Sequence, residues 1–238
     1  MNITKLLAAR SNDSLGNKNP TIAFLGDSVT QGCFELYKTP ESISTVCDQE
    51  SVYSRYVAKI LHMLYPKCNV TIVNAGISGD SAPGGYKRLE RDVLCHKPDL
   101  TVVCFGLNDS SRGIDKIDKY TDALGKIFDA LKAAESEIIF MTPCMMCTGE
   151  SPLNPEIFRE FTAKYMDIQN SGVLDRYIDA GRKTAKEHGV RICDVYAKWK
   201  ALHENGVDIT ALLSNYVNHP TREMHWLFAY SLVEEMMK

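Results

Sequence analysis

The chain has 238 residues and a formal net charge of −3 at pH 7, with 45% hydrophobic and 24% charged residues. These values are ordinary for a globular domain, and mild acidity without a basic stripe argues against nucleic-acid binding. No apolar run approaches the ~20 residues that a membrane-spanning helix requires, so no membrane partner is expected.

The amino-terminal segment and the cysteines predict a reduced, cytoplasmic protein. Segment 1–13 holds only a short apolar patch and no small-residue cleavage site, so no secretory signal is predicted. The eight cysteines are therefore expected to be free thiols. Cys144 and Cys147 have the spacing of a metal-binding or redox pair, but a second pair is missing, and no metal site is predicted.

Short β-rich runs alternate with helical segments along the whole chain. Strands are predicted at 21–25, 70–74, 100–105, 137–142 and 190–195. Helices are predicted at 52–64, 86–95, 117–131, 173–188 and after Pro220. This alternation predicts an α/β fold with a five-stranded parallel sheet and helices on both faces. We expect one domain over 1–238, with an amino-terminal extension at 1–20 and a lid or substrate loop at 143–172.

Residues suited to acyl chemistry follow the first three predicted strands. Ser28 ends Gly26-Asp27-Ser28 and is a candidate nucleophile, although serine and aspartate also cap helices. Gly79 lies in a glycine-containing loop whose N–H groups can hold an oxyanion, or form a plain turn. Asn108 offers an uncharged amide donor, or an Asx turn.

His219 is the candidate base because it precedes Pro220 at the start of the last helix, and imidazole titrates near neutral pH. A lone histidine is more often a surface or capping residue. His225, six residues further on, is expected to be a helix-face residue without a role in the site.

The motifs GDS, GISGD, GLND and NHP place Ser28, Gly79, Asn108 and His219 in the order of the SGNH (GDSL-type) hydrolases, which the chain resembles from about Thr21 to the last helix. The resemblance implies a flavodoxin-like three-layer α/β/α sandwich and a carboxylic ester hydrolase. Ser28 would be the nucleophile and His219 the base, with the N–H groups of Ser28 and Gly79 and the Asn108 amide as the oxyanion hole. No cofactor is implied, and the partner would be a small-molecule ester.

One position departs from that family. Its members usually carry an aspartate three residues before the histidine, where this chain has Tyr216. Asp208 folding back, Asn215 through its side-chain carbonyl, or a backbone carbonyl could orient the His219 ring. Asp27 is structural in the family and is not expected to do so.

The substrate is predicted less closely than the reaction. A small acyl group, such as acetyl on a sugar or similar polar alcohol, is favoured because no long apolar surface helix suggests a lipid interface. A lysophospholipase, a thioesterase and an inactive α/β binding module are the alternatives. A phosphoryl-transfer enzyme is disfavoured because the glycine loops contain no Walker-type lysine. The oligomeric state is not predicted.

Overall fold

The computed structural model describes residues 2–238, which form a three-layer α/β/α sandwich and so confirm the predicted fold. The strands are β1 Thr21–Gly26, β2 Cys33–Lys38, β3 Ile43–Cys47, β4 Thr71–Gly76, β5 Leu100–Cys104, β6 Glu137–Met141 and β7 Arg191–Cys193. The helices are α1 Ile3–Asn12, α2 Ser28–Gln31, α3 Tyr53–Leu64, α4 Ala82–Lys87, α5 Leu89–Asp92, α6 Leu107–Ser110, α7 Ile117–Ala133, α8 Arg159–Asn170, α9 Val173–Glu187, α10 Val195–Glu204 and α11 Met224–Met236. Short 3₁₀ helices occupy Leu94–His96, Ile114–Lys116, Glu156–Phe158 and Thr210–Leu212.

The main sheet is parallel and has the order β4-β1-β5-β6-β7. Residues that alternate along β1 enter opposite layers: Ile22 and Phe24 pack in one core, and Ala23 and Leu25 pack in the other. The first core is covered by α1, α3, α10 and α11, and the second by α4, α5 and α7, while α9 contributes to both. All five predicted strands are present within one or two residues of the predicted bounds.

Several elements depart from the sequence-based expectation. β2 and β3 form a separate antiparallel hairpin that was not predicted. The predicted helix at 86–95 is divided into α4, α5 and a 3₁₀ turn. The expected amino-terminal extension contains α1, which buries Ile3 and Leu7 against the first core. The segment 143–172, predicted as a loop, contains α8.

None of the helices within residues 2–238 combines the length and the apolar character that crossing a bilayer would need. The cysteines within residues 2–238 are free thiols, and Cys144 and Cys147 are buried. Among the same residues, no cluster of histidine, cysteine and acidic side chains could hold a metal ion.

The end of β4 packs directly against α2, the helical turn that begins with Ser28. A Cβ atom at Gly76 would lie 2.2 Å from the Gln31 nitrogen and 2.6 Å from the Thr30 carbonyl carbon. Since both contacts are with backbone, neither can be relieved by a side-chain rotation. The absence of a side chain at Gly76 therefore sets how closely β4 approaches α2.

We predict that Gly76→Ala lowers the free energy of unfolding by about 1–3 kcal/mol, the usual cost of overpacking. Gly149→Ala is the matched control, because a Cβ at Gly149 meets no atom within 4 Å; its effect should stay within about 0.5 kcal/mol. Urea-induced unfolding of both variants measures the difference. Equal stability of the two variants would contradict this account of the packing.

Candidate active site

The strand order brings three loops to one edge of the sheet. β1 lies between β4 and β5, and Gly26 is level with Gly76 on one side and Cys104 on the other. The segments that follow these three strands carry Ser28, Gly79 and Asn108. Because the carboxyl ends of parallel strands share an edge, the three candidate residues gather around the end of β1, where open α/β sheets bind ligands.

Ser28 is the first residue of α2, a single helical turn. Asp27 caps this turn: its side-chain Oδ1 accepts a hydrogen bond from the Val29 N–H at 3.0 Å, and its carbonyl accepts from the Gln31 N–H at 2.9 Å. Gly32 ends the turn with φ of +91°, a left-handed conformation that favours glycine. The Ser28 side chain is thus held at the sheet edge by a rigid turn, with the residue only 4% exposed.

The His219 ring lies between Ser28 and the main chain of Phe34. Nε2 is 2.9 Å from the Ser28 Oγ, and Nδ1 is 2.9 Å from the Phe34 carbonyl oxygen. A carbonyl oxygen can only accept a hydrogen bond, so Nδ1 must carry the proton when the ring is neutral. Nε2 then has a free lone pair that accepts from the Ser28 hydroxyl. The contact with Phe34 therefore selects the tautomer that a base requires.

The prediction that Asn215 orients the His219 ring is wrong. Its Oδ1 instead accepts hydrogen bonds from the backbone N–H groups of Val217, Asn218 and His219 at 2.9–3.0 Å. Asparagine side chains commonly form such local turns. Asn215 consequently shapes the loop that carries His219 and makes no contact with the imidazole nitrogens.

Asp208 is also wrong as the partner of His219. Its Oδ1 accepts from the Thr210 N–H at 3.0 Å and the Ala211 N–H at 3.4 Å, at the start of a 3₁₀ helix. Those bonds satisfy one carboxylate oxygen near its own position in the chain. Of the three possibilities that the sequence left open, the geometry matches the backbone carbonyl, and the residue that supplies it is Phe34.

Three N–H donors on the loops at this edge of the sheet are unused among residues 2–238. Gly79 has φ of +76°, and its N–H has no acceptor among the hydrogen bonds of residues 2–238. The Ser28 N–H begins a helix and so lacks an intrahelical partner. One N–H of the Asn108 amide donates to the Asp80 carbonyl at 2.9 Å, which fixes the amide and leaves its second N–H available.

Arg88 joins these loops and was not identified from the sequence. The residue is 8% exposed, and its guanidinium donates to the carbonyls of Gly26 at 2.9 Å and Ala75 at 2.7 Å. It also donates to the Asp80 carboxylate at 2.7 Å. A single side chain thus connects the end of β1, the end of β4 and the residue that holds Asn108.

Burial controls the protonation of the groups nearest Ser28. It lowers the pKa of His219 to about 4, although the hydrogen bond to Phe34 acts in the opposite direction. Burial also raises the pKa of Asp27 to about 7, against the hydrogen bond from Val29, which lowers it. At neutral pH the site therefore contains a neutral imidazole, as a general base must be.

His225 proves to be a core residue, contrary to the expectation of a helix-face position. It is fully buried, and its Nδ1 accepts a hydrogen bond from the Tyr53 N–H at 3.0 Å. Its ring centroid lies 5.0 Å from that of Phe34. The signal that could have revealed this is its place in α11 among largely apolar neighbours.

Known proteins that are similar in sequence to this chain include two esterases. The chain is 31% identical over 131 residues to an acetylxylan esterase from Geobacillus stearothermophilus, an alignment that covers 51% of this chain and 58% of that esterase. It is 34% identical over 74 residues to an arylesterase from Vibrio mimicus, covering 31% of this chain and 36% of that protein. The chain thus matches less than two thirds of the length of either relative.

Solved structures share the fold. A structure of an acetylxylan esterase from G. stearothermophilus matches with a TM-score of 0.68 and 23% identity, over 91% of this chain and 94% of that one. Catalytic mutants of that esterase at a serine, an aspartate and a histidine are also solved. An α/β hydrolase from the metagenome of Lake Arreo, Spain, matches with a TM-score of 0.68 and 19% identity, over 92% and 95% of the two chains.

The model of the GDSL-like lipase/acylhydrolase family matches residues 24–227, which include all four motifs of the site. This confirms the resemblance that the motifs suggested, and the chain belongs to the GDSL-like lipase/acylhydrolase family.

Proposed function

We propose that this protein is a serine esterase that hydrolyses small acyl esters, foremost acetyl esters of carbohydrates or similar polar alcohols. The observation that carries the proposal is the 2.9 Å contact between the Ser28 Oγ and the His219 Nε2, in a ring whose other nitrogen is fixed on a carbonyl. A nucleophile within hydrogen-bond reach of an oriented base is the arrangement that acyl transfer requires.

Acylation begins when the Ser28 Oγ attacks the ester carbonyl carbon and its proton passes to the His219 Nε2. The ring becomes an imidazolium, which donates from Nδ1 to the Phe34 carbonyl and from Nε2 toward the leaving oxygen. A carbonyl stabilises this cation less than a carboxylate would, because it carries only a dipole. Burial, which lowers the pKa of His219 to about 4, disfavours the cation further.

The oxyanion of the tetrahedral intermediate would accept hydrogen bonds from the N–H groups of Ser28 and Gly79 and from the Asn108 amide. Each such donor typically contributes about 2.7–4 kcal/mol of transition-state stabilisation. When the intermediate collapses, the ester C–O bond breaks and the leaving alcohol takes the proton from Nε2. Water then repeats the cycle on the acyl-enzyme, which releases the carboxylic acid and restores the Ser28 hydroxyl.

The acyl group and alcohol are proposed from the relatives. The acetylxylan esterase and the arylesterase named above both act on esters, as their names state. Lysophospholipase and thioesterase activity remain alternatives that a substrate series separates. The cytoplasmic location expected from the sequence stays a prediction, and the proposed chemistry does not depend on it.

An inactive binding module is the competing class of function. Its main support was the missing aspartate before His219. Phe34 removes that support, because its carbonyl accepts the Nδ1–H bond that an aspartate would otherwise accept. The unused N–H groups on the loops at the same sheet edge also favour a reacting site over a passive one.

We predict that the wild-type protein releases p-nitrophenol from p-nitrophenyl acetate faster than from longer acyl esters, and that Ser28→Ala reduces this rate at least ~10³-fold. Ser54→Ala is the matched control, since Ser54 is a buried serine in α3 whose hydroxyl has no hydrogen-bond partner. Equal rates for Ser28→Ala and the wild type would exclude Ser28 as the nucleophile. A preference for long acyl chains would contradict the small acyl group.

We also predict an unusual pH profile. His219 acts as a base only when neutral, and its pKa is lowered to about 4. As pH falls from neutral, kcat/KM should therefore hold steady through 6.5, the ordinary pKa of imidazole, and decline only as pH approaches about 4. The profile is measured with p-nitrophenyl acetate, with circular dichroism at each pH to confirm folding. An acid limb at or above 6.5 would contradict the buried, carbonyl-bound ring.

A further inference from the structure

We propose that Arg222 is a positioning residue for catalysis, which holds the Phe34 carbonyl in place against His219. This inference rests on the proposed esterase function and identifies what holds the Phe34 carbonyl, which takes the place of a triad carboxylate. The sequence gives no indication of this role, because Arg222 lies far along the chain from the residues that it contacts near Phe34.

The acceptor for the His219 Nδ1–H, the Phe34 carbonyl, lies on a strand that is not part of the main sheet. Phe34 belongs to the β2–β3 hairpin, whose two strands pair only with each other. A two-stranded hairpin is at best marginally stable by itself. A backbone carbonyl also cannot turn toward its donor as an aspartate side chain can. The position of the hairpin therefore determines the orientation of the ring.

Arg222 connects this hairpin to the segment that carries His219. It lies three residues after His219, and its guanidinium donates to both carboxylate oxygens of Glu35 in β2, at 2.5 and 3.2 Å. Its Nε donates to the Asp48 carboxylate at 3.1 Å, directly after β3. One arginine thus binds a carboxylate in β2 and a carboxylate directly after β3, at both strands of the hairpin.

The guanidinium also covers Phe34 itself. Its central carbon lies 4.2 Å from the centroid of the Phe34 ring, a cation–π geometry. The other neighbours of that ring include the buried imidazole of His225, at 5.0 Å. Phe34 is consequently confined through its ring while its carbonyl faces His219. A planar fork that binds two carboxylates and stacks on a ring is a role that lysine cannot reproduce.

Pairing with Arg222 helps to lower the pKa of both carboxyl groups, Glu35 and Asp48. The hydrogen bond from Arg222 is the largest cause of the lowered pKa of Glu35. For Asp48 the hydrogen bond with Ser51 lowers the pKa most, and the bond from Arg222 adds to it. Both acids are therefore ionised at neutral pH, and the cluster keeps its charge pairing where the enzyme would work.

The test compares Arg222→Ala with Arg191→Ala. Arg191 is a matched control because it is also a partly exposed arginine paired with a glutamate, Glu137, but it lies at the opposite end of the strands. Removing Arg222 should lower kcat for p-nitrophenyl acetate up to about 100-fold, the scale of a 1 Å misplacement, with KM nearly unchanged. Arg191→Ala should keep the wild-type kcat when assayed below its unfolding temperature.

Two readouts separate positioning from general structure. The ¹⁵N shifts of the His219 imidazole should report a proton on Nδ1 in the wild type and in Arg191→Ala, and a mixture of tautomers in Arg222→Ala. Methylguanidinium should restore part of the lost kcat to Arg222→Ala and none to other variants, while Arg222→Lys should recover less than the wild-type rate. An unchanged kcat and tautomer in Arg222→Ala would overturn the proposal.

Labelling of Ser28 by a serine-reactive phosphonate distinguishes this failure from failure of the proposed function. Labelling of the wild type at Ser28 together with slow labelling of Arg222→Ala supports both ideas. If both proteins label Ser28 equally fast, the esterase proposal stands and the role of Arg222 is wrong. If the wild type is not labelled at Ser28, the proposed function itself is wrong.

Discussion

The hydrogen bond from the His219 ring to the Phe34 carbonyl is the interaction on which the chemistry of this site depends. It is a bond between a side chain near the carboxyl terminus and the main chain of a hairpin near the amino terminus. It selects the tautomer, orients Nε2 toward Ser28 and is the only hydrogen bond that residues 2–238 make to the ring's second nitrogen. A carbonyl performs the orienting part of an aspartate's role without its charge. Burial lowers the pKa of the ring to about 4, so the imidazole is neutral at neutral pH, and the proposed imidazolium would gain less stabilisation from the carbonyl than from a carboxylate.

Close backbone contacts and buried polar side chains position the loops around that hydrogen bond. Gly76 lets α2 approach β4, and Arg88 binds the carbonyls at the ends of β1 and β4. Arg88 also holds Asp80, whose carbonyl orients the Asn108 amide. The loops that carry the proposed nucleophile and the proposed oxyanion donors thus share one buried guanidinium. Such a group is costly to bury unless all its donors are satisfied, which makes its geometry well defined.

Sequence reasoning reached the parts of this arrangement that leave a local pattern. The strands are short β-rich runs ended by glycine or polar residues, and the main sheet follows from their alternation with helices. Ser28, Gly79 and Asn108 each follow a strand, so the topology brings them together. Element bounds failed where one predicted helical segment is divided in the structure, as between α4 and α5, since periodicity alone does not reveal the break.

The remaining features have no local signal. Every residue has a main-chain carbonyl, so the sequence around Phe34 does not indicate that its carbonyl binds His219. Asp208 and Asn215 attracted attention because they are polar and near His219 in the chain, but turn-forming hydrogen bonds with their own neighbours satisfy them. Arg88 and Arg222 act across long separations in sequence, which only the folded chain reveals.

The most direct test of the central claim is a crystal structure of the protein after a small phosphonate ester has reacted with it. The account predicts a covalent bond to the Ser28 Oγ and a phosphonyl oxygen within hydrogen-bond distance of the Ser28 and Gly79 N–H groups and the Asn108 amide. It also predicts that the His219 Nδ1 remains bonded to the Phe34 carbonyl. A carboxylate such as Asp208 on Nδ1, or a phosphonyl oxygen directed away from those donors, would contradict it.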